Sequence, residues 1–328
     1  MKRCKIAAIS AYLPERVVSN DELEQLIQPS LTQGILEKLF GIKERRFARA
    51  DEQVSDLASQ AAAPLLESIE PSQIDLLIFA AASADLIEPA TANIIQQKLG
   101  LQCPAMDIKN ACNSFVTALQ TASAFIQSGI YQNILIVTGE KLSDAINFKI
   151  QDEEHLRRSM AAMSLGDAGT AVLVTPSEDE SGLYFQRFMT AGDHWQLCTI
   201  QGGGSMHPRD ASKNYFEGKT ALLKDVILQE AGQFLRESLE ASSWESDNIQ
   251  HLATHQVSMQ TFPLIAKAMG IPTEKAIKVF EKYGNTAAAS IPLSIYEAWQ
   301  SGQLQKGDRL AMIGLAAGIS ASLQLMIW

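Results

Sequence analysis

The chain has 328 residues, 46% hydrophobic and 20% charged, which is the composition of a soluble globular protein with one large domain or two moderate ones. Its net charge of −10 argues against a nucleic-acid binder, which needs a basic surface. No apolar run approaches the length of a membrane span. The cysteines form no CxxC pair, so the sequence predicts neither a disulfide framework nor a zinc site, and a reduced, cytoplasmic protein is expected.

Strands and helices alternate along the first half of the sequence. The apolar stretch that follows the basic N-terminus stops at Pro14, so it predicts a first strand over 6–13 and not a signal peptide. Nearly continuous apolar runs predict buried strands over 74–82, 133–138 and 170–174. Helices are predicted over 89–99 and 113–127, each followed by a glycine.

The second half resembles the first. Residues 249–258 match 74–83 at an offset of 175, and the apolar run 310–313 takes the place of 134–137. Two related β/α halves, 1–178 and 179–328, with a join near 176–182, would explain this pattern. The match is weak residue by residue, and unrelated β/α chains share such patterns, so the duplication is a hypothesis at this point.

A long segment between the halves, 185–218, shows no periodic element of its own. It contains three consecutive glycines together with His194, His207, Trp195 and Tyr215. Long connections of this kind are usually functional or disordered, and the apolar content favours an ordered lid. The spacing of the two histidines fits no metal-ligand pattern, so no metal site is predicted.

Cys112 carries the strongest local signal for chemistry. A short strand leads into it and a long helix with an apolar stripe leaves from it. A thiol at a helix N-terminus is expected to have a lowered pKa, which yields a nucleophilic thiolate that can form a thioester. The alternative is a buried, inert cysteine, the usual state of a free cysteine.

Two further residues lie where β/α folds expose side chains, at the carboxyl ends of strands. His255 ends a predicted buried strand, and Asn285 lies in a small-residue turn that opens a helix running to Trp299. Taken alone, each is more often a structural histidine or a turn former. With Cys112 they make a Cys–His–Asn set.

These motifs, in this order, resemble the β-ketoacyl-acyl-carrier-protein synthase III family of the thiolase superfamily. The resemblance covers essentially the whole chain and rests on Gly41-Ile-Lys-Glu-Arg-Arg46, Asn110-Ala-Cys112, Leu165-Gly-Asp-Ala-Gly169, His255-Gln256, Tyr283-Gly-Asn285-Thr286 and the turn from Gly314 to Gly318.

The resemblance implies an α/β thiolase fold of five layers, αβαβα, in two duplicated halves, and a homodimer. It implies that Cys112 accepts an acyl group from a CoA or carrier-protein thioester. His255 and Asn285 would stabilise the enolate formed when a malonyl thioester loses CO₂. A second oxyanion hole would come from the backbone N–H groups of Cys112 and Ala317. No cofactor is implied beyond the thioester substrates, and Asp167 and Gly169 would shape the loop behind the site.

Several positions depart from the family pattern. Ala316-Ala317-Gly318 replaces the usual triple glycine, which leaves the Ala317 N–H usable unless that residue needs a positive φ. Ile35 and Leu39 replace a Trp and an Arg that clasp the CoA nucleotide, and Gln260 replaces an Arg that docks the acidic carrier protein. Donor recognition is therefore expected to differ from the housekeeping enzyme, as in a specialised relative from secondary metabolism.

Glu88 leaves a second mechanism open. The stretch Ile87-Glu88-Pro89-Ala90-Thr91 resembles that of thiolase relatives that begin bacterial long-chain olefin synthesis, in which a glutamate reaches the partner subunit and acts as the base in a non-decarboxylative head-to-head condensation of two acyl-CoAs. The alternative is a plain carboxylate at a helix start. Two other readings also remain: acyl transfer from Cys112 to a nitrogen or oxygen nucleophile, and a non-catalytic subunit, against which the intact Cys–His–Asn set argues.

Overall fold

Two β-sheets of matching strand order form the centre of the protein. The computed structural model describes residues 2–259 and 261–328, so the substitution at Gln260 lies outside the described residues. The strands are β1 (Cys4–Tyr12), β2 (Arg16–Ser19), β3 (Glu44–Phe47), β4 (Leu76–Ala80), β5 (Ala105–Ile108), β6 (Ile134–Glu140), β7 (Ala168–Pro176), β8 (Gly182–Thr190), β9 (Cys198–Ile200), β10 (Phe216–Gly218), β11 (His251–Thr254), β12 (Arg309–Ala316) and β13 (Ser320–Ile327).

Helices cover both outer faces of the sheets and fill the space between them. They are α1 (Asn20–Leu26), α2 (Ile35–Phe40), α3 (Val54–Leu66), α4 (Thr91–Leu99), α5 (Ser114–Ser128), α6 (Glu153–Ser159), α7 (Thr220–Val226), α8 (Gly232–Ala241), α9 (Thr261–Ala268), α10 (Phe280–Tyr283) and α11 (Ser290–Gln300). None of the helices within the described ranges is long and apolar enough to cross a membrane.

The order and direction of the strands confirm the predicted duplication. The first sheet runs β1-β7-β6-β4-β5 and the second β8-β13-β12-β11. In each sheet a parallel pair, β4 with β6 and β11 with β12, is followed by two antiparallel pairs. A parallel bridge from Leu252 to Ala276 stands beside β11 where β5 stands beside β4. The chain passes from the first sheet to the second between Pro176 and Gly182.

Three apolar clusters define the five predicted layers. Side chains of α5 and α11 pack with both sheets in the middle of the protein. Helices α3 and α4 cover the outer face of the first sheet, and α8 and α9 cover the outer face of the second. Because the central strands are covered on both faces, they need apolar residues at every position, and all five residues of β4 are buried.

The segment 185–218 is more structured than predicted. Residues 185–190 belong to β8, a strand of the second core sheet, so the expectation of a lid over this part was wrong. The pattern was hidden because Gln186 and Arg187 interrupt the apolar run, although Gln186 lies within hydrogen-bonding distance of the buried Gln324 of β13. The remainder contains the two-stranded sheet of β9 and β10, in which Cys198 pairs with Gly218.

Candidate active site

Cys112 lies in the tight turn between β5 and α5. Ala111 before it has a φ of 46°, in the left-handed region that costs a non-glycine residue energy. The turn is held by the bond from the Ser114 N–H to the Ala111 carbonyl, 3.1 Å, and from the Asn110 N–H to the Ser114 hydroxyl, 2.8 Å. Helix α5 begins two residues after Cys112, which is the predicted place near a helix N-terminus.

The predicted lowering of the Cys112 pKa was wrong. Burial raises the pKa of this thiol above its ordinary value, and the nearby Glu140 carboxylate raises it further. The backbone N–H groups of Cys112 and Ala317 hydrogen-bond to the thiol and act in the opposite direction, but more weakly than burial. The resting residue is therefore a neutral thiol, and thiolate must form when a substrate arrives.

Asn113 fastens the cysteine turn to the second half of the chain. Its Nδ2 donates to the carbonyl and the hydroxyl of Ser320, at 3.0 and 2.9 Å, across the gap between α5 and β13. Gly314 makes this approach possible, because a Cβ at that position would lie 2.0 Å from Asn113 Oδ1 and 2.6 Å from Ser322 Oγ. The position of Cys112 is thus set by both halves together.

The backbone conformation of the turn after β12 is compatible with alanine at positions 316 and 317. Positive φ values occur at Gly318, 78°, and Ile319, 49°, and not at Ala317. An alanine at 317 is therefore compatible with the turn, and its N–H points to the Cys112 thiol as the hydrogen bond between them requires. The departure from a triple glycine does not remove this donor.

His255 follows the last residue of β11, and its backbone N–H donates to Ile313 on β12 at 3.0 Å. The side chain is buried, and burial lowers the pKa of the imidazole to about 4, with a hydrogen bond to the backbone of Ala287 acting in the opposite direction. The ring is consequently neutral at physiological pH.

Gln256 holds the histidine segment against the chain that leads to Asn285. Its buried amide donates to the Ile277 carbonyl at 2.8 Å and accepts from the N–H groups of Val279 and Phe280, at 3.0 and 2.9 Å. All three hydrogen bonds are made by one buried amide, so Gln256 holds the residues after β11 in a fixed position against residues 277–280. Gln256 is part of the His255-Gln256 motif, but its role as a hydrogen-bonding residue could not be predicted from that motif.

Asn285 lies between the two halves in a loop of close backbone contacts. Its N–H donates to Ser164 at 2.7 Å, and its carbonyl accepts from Gly166 at 3.0 Å. Glycines are required here, because a Cβ on Gly166 would lie 2.2 Å from the Tyr283 carbonyl and one on Gly284 2.5 Å from the Ser164 carbonyl. The side-chain Oδ1 accepts from the Ala287 N–H at 3.0 Å, so the donor end of the amide is left for a ligand.

Ala287 joins the predicted residues into one site. Its backbone hydrogen-bonds to the Asn285 side chain and to the His255 imidazole. Ala287 and Leu165 also belong to the apolar cluster against which Cys112 packs. The structure therefore brings the three predicted residues together from loops that are more than 140 and about 30 residues apart in sequence.

Glu140, at the end of β6, is a buried carboxylate that the sequence did not single out. It lies beside Cys112, and burial raises its pKa to about 7. Asp167, which was expected to shape the loop behind the site, accepts from the Ala48 N–H at 2.8 Å and from the Ser143 hydroxyl at 2.6 Å. It holds neighbouring loops together, as expected.

Glu88 lies apart from the other predicted residues. It is exposed on the loop between β4 and α4, beside Leu86 and Ile87, whose side chains are 52% and 88% exposed. Its carboxylate faces solvent, whereas Glu140 is the carboxylate that acts on the Cys112 thiol.

The β9–β10 pair covers one side of the site. Phe216 packs on the same apolar cluster as Cys112, and the Cys198 thiol is close enough to influence that of Cys112. Within residues 2–259 and 261–328, no group of three or more His, Cys, Asp or Glu side chains is arranged to hold a metal ion, and this includes the region of His194 and His207.

Known proteins with this sequence and this arrangement share one family. The sequence profile of 3-Oxoacyl-[acyl-carrier-protein (ACP)] synthase III matches residues 106–192, and that of its C-terminal part matches residues 239–328. The Beta-ketoacyl-[acyl-carrier-protein] synthase III of Aquifex aeolicus is 32% identical over 96% of both chains, and that of Clostridium perfringens strain SM101 is 31% identical over 98% of both. The chain belongs to the β-ketoacyl-acyl-carrier-protein synthase III family. It is accordingly an acyl-thioester condensing enzyme of the thiolase fold.

Solved structures of two kinds resemble this member of the family over its full length. The 3-oxoacyl-[acyl-carrier-protein] synthase III of Aquifex aeolicus superposes with a TM-score of 0.88 and 31% identity, covering 99% of this chain and 100% of that one. Cerulenin-bound OleA of Xanthomonas campestris superposes with a TM-score of 0.89 and 26% identity, covering 100% and 97%. The resemblance to OleA matches the second mechanism that the Glu88 stretch left open.

Proposed function

We propose that Cys112 accepts an acyl group from a thioester of CoA or of a carrier protein. The N–H groups of Cys112 and Ala317 both point to the thiol, so they are placed to hold the oxygen of an acyl group bonded to that sulfur. The thiol is half-buried, whereas Cys4, Cys103 and Cys198 are buried. All four cysteines are free thiols, and a cytoplasmic location is part of the proposal.

In the second step, a malonyl thioester loses CO₂ and the enolate attacks the acyl-Cys112 carbonyl. The electrons of the breaking C–C bond form the enolate, so this step needs oxyanion donors and no base. The observation that carries the proposal is the link from Ala287 to both His255 and Asn285, which sets a neutral imidazole and the donor end of an amide at one place. Neutral N–H donors stabilise an enolate oxygen without forming an ion pair with it, and the single N–H of the neutral ring would leave the Ala287 carbonyl for that oxygen when the substrate binds.

The two steps separate in the variants His255→Ala and Asn285→Ala. Both should lose CO₂ release from malonyl-CoA by about 10²–10³-fold, the usual effect of removing one oxyanion donor. Both should still form acyl-enzyme, seen by intact mass, because the backbone donors of Cys112 and Ala317 remain. His207→Ala, in the segment between β9 and β10, is the matched control and should leave both signals unchanged. A wild-type enzyme that releases no CO₂ from malonyl-CoA or malonyl carrier protein would refute the decarboxylative assignment.

The donor site is proposed to differ from that of a housekeeping synthase. Ile35 packs against the apolar cluster that Cys112 contacts, and Leu39 on the same helix is 38% exposed. Neither can pair with the nucleotide of CoA as a Trp and an Arg do. We therefore propose a dedicated acyl donor, of the kind used in secondary metabolism, which comparison of generic and dedicated carrier proteins as substrates would test.

The resemblance to OleA and the exposed Glu88 loop favour one second candidate, a non-decarboxylative condensation within a homodimer. Leu86 and Ile87 expose apolar surface next to Glu88, and such surface is usually covered by another chain. Glu88 would then serve as base in the partner's site, since it lies on this exposed loop. A β-keto acid formed from a single acyl-CoA, with no malonyl donor, would establish this mechanism.

A further inference from the structure

Glu140 is a buried carboxylate held only by uncharged donors. Its side chain is fully buried, and in the part of the chain that the structure describes no lysine or arginine forms an ion pair with it. Instead, Oε1 accepts from the N–H groups of Ala82, 2.8 Å, and Ala288, 3.3 Å. Oε2 accepts from the N–H and the hydroxyl of Ser83, at 3.1 and 2.7 Å. A buried charge is costly unless hydrogen bonds satisfy it, as they do here.

These bonds connect two loops that belong to different halves. Ala82 and Ser83 follow β4 and lead towards the Glu88 loop, whereas Ala288 comes three residues after Asn285. The carboxylate thus ties the first loop to the turn that carries the proposed enolate donors. Its charge also acts directly on the Cys112 thiol.

The other charged groups near Glu140 in sequence or in the site have partners of their own. Lys141 donates to the Glu52 carbonyl at 2.8 Å and lies 3.6 Å from Asp144. Asp85, in the loop beyond Ser83, accepts from the Ser55 N–H at 3.1 Å. Asp167 binds Ser143 and Ala48, and His255 is neutral. Cys198 also acts on the Cys112 thiol, but burial raises its pKa to about 12, so it stays neutral between pH 5.5 and 9.5. The change in charge near the thiol over this range is therefore that of Glu140.

We infer that Glu140 is a positioning residue of this site: its hydrogen bonds tie the Ala82–Ser83 loop to the Ala288 turn, and its buried carboxylate lowers the reactivity of the neighbouring Cys112 thiol. The inference builds on the proposed role of Cys112 but concerns only the reactivity of that thiol.

Alkylation of Cys112 by iodoacetamide, followed by intact mass from pH 5.5 to 9.5, tests this without any substrate. The reaction needs thiolate, and an ionised Glu140 opposes it. Because burial sets the Glu140 pKa to about 7, Glu140→Gln should react like the wild type at pH 5.5, where Glu140 is protonated. Above pH 8 the variant should react about three- to tenfold faster, since one pKa unit changes the thiolate fraction about tenfold.

Asp167→Asn is the matched control, because it neutralises another buried carboxylate, one that is hydrogen-bonded to Ala48 and Ser143. It should keep the wild-type pH dependence. If Glu140→Gln does not fold, Ser83→Ala keeps the charge but removes one donor, and the break in the alkylation profile near pH 7 should move to higher pH. An alkylation ratio of variant to wild type that is constant across the pH range would refute the inference. Failure of acyl transfer alone would instead count against the proposed function.

Discussion

Ala111 and Ala287 occupy equivalent positions in the two halves of the chain. Each lies three residues before a central helix, α5 or α11, and each has a positive φ, 46° and 42°. Ala111 and Ala287 are 176 residues apart, and so are Ser114 and Ser290, the first residues of those helices. The same strained turn therefore presents Cys112 in one half and links His255 with Asn285 in the other.

Gly314→Ala should disrupt the joint between the halves. The added Cβ would lie 2.0 Å from Asn113 Oδ1, and the buried helix start can yield little. We expect a lower melting temperature and at least about tenfold slower acylation of Cys112, measured by differential scanning fluorimetry and intact mass. Gly192→Ala is the control, since a Cβ there meets no atom within 4 Å and its φ is not positive. Equal melting temperatures and equal acylation rates in the two variants would contradict the role of Gly314 in joining the two halves.

Cys112 should be the single site of acylation. It is the least buried of the four cysteines, and the N–H groups of Cys112 and Ala317 hydrogen-bond to its thiol, where they can hold an acyl oxygen. Incubation with a panel of acyl-CoAs should add one acyl group, and Cys112→Ala should add none. Cys198→Ala is the control for the neighbouring thiol and should still be acylated. Label that maps to Cys103 or Cys198 would overturn the assignment.

The His255 imidazole should stay neutral well below the pH at which a histidine usually becomes protonated. Because burial lowers its pKa from 6.5 to about 4, the unfolded chain binds more protons than the folded one between these values. The contribution of His255 to stability is therefore lost as the pH falls through this window. The rate of malonyl decarboxylation should show no inflection near pH 6.5, and the His255 NMR signals should not shift between pH 8 and 5. Titration of that ring near pH 6.5 would show that it is not buried as described.

Glu88→Gln distinguishes the two condensation mechanisms. If CO₂ loss drives the reaction, the variant should keep Cys112 acylation and nearly wild-type turnover with a malonyl donor, because Glu88 is exposed. This is the outcome we expect, with a cost in stability under about 1 kcal/mol. Glu67→Gln, on the exposed surface after α3, is the control. Retained acylation with abolished condensation of two acyl-CoAs would instead assign Glu88 as the base.

The sequence predicted most of the fold because the core strands are apolar at most positions. The runs that form β4, β6 and β7 can be read directly, and the repeat in the second half follows from them. Strand β8 was missed because Gln186 lies in its centre, and only the presence of Gln324 on the next strand makes that position compatible with the sheet.

The sequence predicted the site residues that belong to local motifs, but not the contacts that hold them together. Cys112, His255 and Asn285 each stand at a recognisable end of a strand or start of a helix. The contacts that organise them are not local: Asn113 binds Ser320 across 207 residues, and Ala288 binds Glu140 across 148. The sign of the Cys112 pKa shift depends on such neighbours too, because burial and the Glu140 charge outweigh the favourable helix terminus.

The Ala288–Glu140 bond distinguishes the two equivalent turns. Ala288 stands 176 residues after Cys112, so its N–H is the counterpart of the Cys112 N–H in the second half. That counterpart donates to a carboxylate oxygen from within the protein, at 3.3 Å, and belongs to an alanine, which has no thiol. On the proposal that Cys112 is acylated, the duplicated architecture therefore offers one acylation turn per polypeptide and not two.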